Sequence, residues 1–212
     1  MKFHYLIILL FVGCQDQQKN SSISDPYRFE FKLIDSLGTI SISFPERADT
    51  FFNWIQRSDC GKPCEKGDYR FQSKKNRIFQ ESGFFWIGEP EDSVDQLTIY
   101  HQRPDTLLPN NDSLIIRQGD RLKGVVQSEL TIGKIILDTL VKIGDRHFWI
   151  FHIDGITSTQ VGIRQLIGFT SISGTILEFN YKLLTTRFDT TYKSFFEKSM
   201  KNLETVRLKD GS

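Results

Sequence analysis

The chain has 212 residues, with 27 Lys and Arg against 26 Asp and Glu, so its formal charge is +1. Near-neutrality argues against a nucleic-acid partner, because phosphate binding draws on an excess of Lys and Arg. The densest basic run, Lys74-Lys75-Asn76-Arg77, reads as a solvated loop rather than a phosphate or headgroup site.

The first element is an apolar run, Leu6-Ile7-Ile8-Leu9-Leu10-Phe11-Val12-Gly13, which follows Lys2 and ends at Cys14 before polar Gln15-Asp16-Gln17-Gln18. A membrane-spanning helix needs about 20 apolar residues and a signal h-region roughly 7–15, so this run has the length of an export signal. A small residue before the cysteine resembles the lipobox of bacterial lipoprotein signal peptides, although Phe11 stands where Leu is usual. That resemblance implies a signal peptide over residues 1–13 and lipid attachment at Cys14. The membrane would then be the first partner, and an acylated cysteine would hold the protein in the bacterial cell envelope. Gln15 follows the cysteine, so the retention signal Asp is absent and the outer membrane is the expected address. Removing residues 1–13 takes away Lys2 and leaves 26 basic and 26 acidic side chains. Several acyl chains, rather than surface charge, would then supply the anchoring. Residues 14–25 are polar and small and read as a flexible tether.

Residues 26–212 are enough for one domain. Alternation in Phe29-Glu30-Phe31-Lys32-Leu33 and in Thr39-Ile40-Ser41-Ile42-Ser43-Phe44 predicts an amphipathic hairpin. Phe51, Phe52 and Ile55 at helical spacing predict a short helix over 48–57. Cys60 and Cys64 follow in Cys60-Gly61-Lys62-Pro63-Cys64. In an exported protein two such thiols are most simply a disulfide clamping a loop. A redox site would instead need Cys-x-x-Cys at a helix start, and a zinc site needs further ligands at regular spacing.

Between Arg70 and Trp86 long polar side chains mix with aromatics, and Phe84, Phe85 and Trp86 are a candidate interaction patch, with a buried strand as the alternative. Glu89, Glu91, Asp92 and Asp95 cluster without the ligand spacing of a calcium loop. A helix from Asp112 to Leu130 rests on Leu114, Leu122, Val125 and Val126, against Gly119 and Gly124. Two further hairpins are predicted, 134–143 with 146–154 and 165–172 with 175–184. In the former, His152 and Asp154 share one face while His147 joins Trp149, Phe151 and Ile153 on the other. A His-Asp pair suits a general base. No nucleophile motif accompanies it, and no metal or cofactor motif occurs. Tyr192, Phe195, Phe196, Ser199 and Leu203 predict a final amphipathic helix capped by Asp189 or Thr190.

These elements predict an α+β domain: a mainly antiparallel sheet packed by the C-terminal helix and by the helix near 48–57. Their order, with the ending Gly174-Thr175-Ile176-Leu177-Glu178-Phe179-Asn180-Tyr181 and then Phe195-Phe196-Glu197-Lys198-Ser199-Met200, resembles the PsbP-like fold. The resemblance implies architecture and not activity. The leading expectation is a non-enzymatic binding or assembly module with an envelope protein partner and no assigned catalytic residue. An immunity-type inhibitor of a secreted toxin is the narrower version. An envelope hydrolase or thiol oxidoreductase is the enzymatic alternative.

Overall fold

The computed structural model describes residues 28–61, 64–75, 94–102, 112–129, 133–156 and 160–211, with positions 125–129 described by their backbone. Cys14, the tether and the patch Phe84, Phe85 and Trp86 lie outside these residues, as do Glu89, Glu91 and Asp92.

Two antiparallel sheets carry most of the described residues. The small one contains β1 (Arg28–Lys32), β2 (Gly38–Ser43) and β10 (Arg207–Asp210), with β2 in the centre. The large one runs β3-β4-β5-β9-β8-β7-β6. Its strands are β3 (Thr50–Gln56), β4 (Lys66–Gln72), β5 (Val94–Gln102), β6 (Gly133–Ile143), β7 (Arg146–Ile156), β8 (Gly162–Ile172) and β9 (Thr175–Thr185). Helices α1 (Asp112–Glu129) and α2 (Thr190–Leu203) complete the set, with a one-turn helix at Ile34–Ser36.

The expected α+β architecture is therefore overturned: strands dominate, and they form two facing sheets rather than one helix-packed sheet. The helix predicted over 48–57 is strand β3, paired in register with β4 from Thr50↔Gln72 to Gln56↔Lys66. Phe51, Phe52 and Ile55 fit a helical spacing, but aromatic residues also suit a pleated, half-buried surface. Pairing decides between the two. Phe51 turns inward among Phe29, Phe31 and Phe71, with ring centroids 4.7–5.0 Å away. Phe52 and Trp54 stack on the other face at 5.5 Å.

The three predicted hairpins form. Phe29↔Ile42 and Phe31↔Ile40 pair across β1 and β2. Ser173 and Gly174 both take positive φ, 46° and 77°, as a two-residue turn between right-twisted strands requires. Strands β4, β5 and β10 go beyond the predicted elements.

The main core lies between the sheets, where Ile40 and Ile42 meet Phe71, Ile99, Phe148, Leu166 and Phe179. Helix α2 shares this layer. Asp189 caps it, accepting from the backbone N–H of Thr191 and Tyr192, and it buries Tyr192, Phe195, Ser199 and Leu203. Helix α1 covers the opposite face, with Ile115 buried against Phe151, Ile153, Ile167 and Phe169. Gly119, which weakens the sequence case for this helix, packs directly against Trp149 of β7. A Cβ there would stand 3.0 Å from Trp149 Nε1.

Candidate functional site

Among the described residues, a groove of about 590 Å³ is bounded by the β2–β3 connection, β5 and α2. Its floor is apolar and aromatic, built from Phe44, Phe71, Leu97, Tyr181 and Phe195. The strand period puts Phe71, Leu97 and Tyr181 on one face of the large sheet, since Leu97 pairs with both Phe71 and Tyr181. The helix period brings Phe195 down beside them. At one end Tyr181 donates its hydroxyl to Asn202 Oδ1 at 2.8 Å, and Asn202 Nδ2 donates to the Ser43 carbonyl at 2.9 Å. These bonds tie α2 to the small sheet. Burial pushes the Tyr181 phenol well above its ordinary range.

Charge is confined to the rim. Consecutive residues of the connection reach in opposite directions: Glu46 Oε2 meets Lys198 Nζ of α2 at 2.9 Å, and Arg47 Nη1 meets Asp95 Oδ2 of β5 at 2.8 Å. The Arg47 guanidinium also stands 5.7 Å from the Phe195 ring centroid. Arg47 Nη1 is buried without an aligned hydrogen bond, so its contact with Asp95 is electrostatic rather than directional. Burial raises Asp95 from 3.8 to about 6, against the opposing pull of Arg47 and Lys198. A carboxylate displaced in this way inside a cleft marks a functional candidate.

The histidines separate. His152 and Asp154 do share a face, yet they do not pair. His152 stacks on Phe196, centroids 4.4 Å apart, and its buried Nε2 has no hydrogen-bond partner among the described residues. Asp154 Oδ1 instead accepts from Tyr192 at 2.9 Å and from Arg164 Nε at 3.2 Å. The histidine that meets a carboxylate is His147 on the other face, with Nδ1 2.9 Å from Asp112 Oδ2 of α1. That pair is largely exposed, with side-chain exposures of 43% and 51%.

Cys60 and Cys64 stand at disulfide distance, with their Cα atoms 5.9 Å apart. They lie in the connection between antiparallel β3 and β4, not at the start of a helix. Arg70 and Gln72 belong to β4 and are buried. Arg70 donates Nε to Thr98 Oγ1 at 3.0 Å, and its guanidinium lies 5.1 Å from the Trp54 ring. Lys74 offers its backbone N–H to Asp49 Oδ1 at 2.6 Å. The groove residues Arg47 and Lys198 carry no sequence signal. Arg47 borders what reads as a helix, and Lys198 falls on the solvent side of the α2 period.

No protein-family model matches the sequence, and no curated protein matches it. Among solved structures, the solution structure of cyanobacterial PsbP (CyanoP) from Synechocystis sp. PCC 6803 is similar, with a TM-score of 0.52. The match covers 91% of this chain and 99% of that chain at 11% identity. The chain thus has a PsbP-like fold.

Proposed function

We propose that the protein is a lipid-anchored, non-enzymatic binding module of the bacterial cell envelope, held at the outer membrane through acylated Cys14, with the groove between the β2–β3 connection and α2 as its binding face. The observation that carries this reading is the groove: an aromatic floor beneath a rim whose charges neutralise one another in pairs. Binding sites have this form, apolar walls with a few polar groups that fix orientation. The apolar segment ending at Cys14 supports the anchor, and the equal basic and acidic counts beyond residue 13 support attachment through lipid rather than charge.

The test is labelling and crosslinking in cells. A photoreactive side chain introduced at Ala48 should capture a specific envelope component from the native protein, whereas one at exposed Lys142 on β6 should not. Lipid label should enter the native chain and be absent from Cys14→Ala. Capture that is equal at both positions would remove the groove as the binding face. A Cys14→Ala chain that still takes up lipid label would remove the anchor.

A further inference from the structure

We infer that the outer edge of β6 is a homodimer surface, on which a second copy of this chain pairs its own β6 antiparallel about a two-fold axis at Leu140. The surface is separate from the groove, because β6 ends the large sheet on the side away from β5. Among the described residues β6 has one strand neighbour, β7. Such an edge carries a row of outward N–H and C=O groups and is a template for another chain. Apolar exposure gathers on it as well. Ile136, Leu137 and Leu140 are 45%, 37% and 39% exposed, three of the seven exposed large hydrophobics among the described residues. Leu140 pairs with Trp149 on the α1 face, while Leu137 pairs with His152 on the core face. A ligand seated on one face would leave the other uncovered, whereas an added strand covers both.

Backbone polarity and charge fix the register. The β6–β7 hairpin turns through Gly144-Asp145, with Gly144 at φ 63°, so Ile143 and Arg146 close a two-residue loop as a hydrogen-bonded pair. Their register runs unbroken back to Leu137. Alternation therefore aims the backbone groups of Thr139, Val141 and Ile143 at β7 and those of Asp138, Leu140 and Lys142 outward. With Leu140 facing Leu140 across the axis, Asp138 of each copy faces Lys142 of the other, and the outward groups meet in pairs that exchange both backbone bonds. Sliding the second copy by two residues sets Asp138 or Lys142 opposite Leu140, and sliding it by four sets like charges opposite each other, which cross-strand pairing disfavours. Lys142 is exposed. Asp138 is held in place by Trp149 Nε1 at 2.7 Å and by Lys123, and a carboxylate keeps lone pairs for a further donor. The bulge between Ile135 and Leu137 bends the strand just outside the paired run, which therefore ends there.

The experiment is sedimentation equilibrium of the full chain carrying Cys14→Ala in a mild detergent. The chain should show a monomer–dimer equilibrium in the micromolar range, as suits a small interface. Leu140→Lys places two ammonium groups at the axis, and Lys142→Glu faces a carboxylate to Asp138 on both sides of it. Each should weaken the dimer roughly tenfold with the circular dichroism spectrum unchanged, whereas Ile55→Lys on β3, the other edge strand of the sheet, should not alter it. A cysteine reports the contact directly. With Cys14 replaced and Cys60 paired to Cys64, Leu140→Cys supplies a lone thiol that mild oxidation should trap as a disulfide dimer, and Ile136→Cys, beyond the paired run, should stay monomeric. A chain that is monomeric at every concentration leaves the edge to a strand of another protein and overturns the inference. A dimer insensitive to both Leu140→Lys and Lys142→Glu overturns it too. In the labelling test above, a photoreactive side chain at Lys142 would meet a second copy, whose doubled mass separates it from a foreign envelope component captured at Ala48.

Discussion

The imidazole of His152 lies parallel to the Phe196 ring, centroids 4.4 Å apart and planes 6° from coplanar, so a strand of the large sheet and the last helix meet through a stacked, half-buried histidine. Burial holds this histidine below its ordinary 6.5, and no carboxylate contact among those described for its ring offsets the effect. The folded protein therefore binds its proton less readily than the unfolded chain does. The resulting stability is fully present above pH 6.5 and is lost as pH falls through the depressed folded value. Histidine resonances followed by NMR should show His152 titrating below the free value, and Phe196→Ala should return it toward 6.5. A His152 titration already at the free value in the native protein would overturn the burial argument.

Asp95 has the opposite sign. Its carboxyl is raised from 3.8 to about 6, chiefly by burial, so the native state holds a proton that the unfolded state has released. That contribution is complete below pH 3.8 and disappears as pH rises through about 6. Asp95→Asn keeps the shape and removes the ionisation. Above pH 6 it should be more stable than the native chain, by an amount on the order of 3 kcal/mol given about 1.4 kcal/mol per pKa unit, with the difference shrinking toward pH 4. Urea unfolding at the two pH values measures it.

The two glycines of α1 should respond oppositely to alanine. At Gly119 a Cβ would come 3.0–3.1 Å from the Trp149 indole, whose Nε1 is already engaged with Asp138 Oδ1 at 2.7 Å. Gly119→Ala should cost roughly 1–3 kcal/mol, the range for overpacking a fitted contact. Around Gly124 nothing lies within 4 Å, so Gly124→Ala should gain up to about 1 kcal/mol through helix propensity. Denaturant midpoints of the two variants decide the matter, and a loss at both positions would mean that α1 packs differently.

Reduction of the Cys60–Cys64 pair should have a small effect, because it closes only a short ring within the β3–β4 connection. The loop-entropy relation gives on the order of 2 kcal/mol. Unfolding with and without reductant should show a modest shift and an unchanged circular dichroism spectrum. Loss of the native spectrum on reduction would instead make the pair essential to the pairing of β3 with β4.

Much of the strand framework is legible in local pattern, and the reasons differ by element. The hairpin of β1 with β2 follows from alternation, because a period of two is set by the backbone itself, whereas those of β6 with β7 and β8 with β9 follow from apolar runs on either side of the turns at Gly144-Asp145 and Ser173-Gly174. The helix α2 follows from the same kind of argument, with its cap at Asp189. Residues 50–56 misled for a physical reason: a short aromatic run satisfies both periods, and only its partner β4 resolves it. Strand β5 carries Asp95, Gln96, Thr98 and His101 among its apolar residues, so its composition hides a central strand. Gln96, Thr98 and His101 are buried by tertiary context rather than by their own preference.

The sequence by itself determined the near-neutral charge balance, which is a sum over residues, and the apolar segment ending at Cys14 and the local geometry of the alternating strands, which depend on residues close together in the chain. Tertiary structure alone decided the two-sheet arrangement and the groove. Arg47 and Asp95 are 2.8 Å apart in space but belong to distant segments, and Lys198 joins them from the last helix. Contacts of that kind exist only once the sheets have packed, because their energy comes from desolvation and proximity that no local pattern encodes.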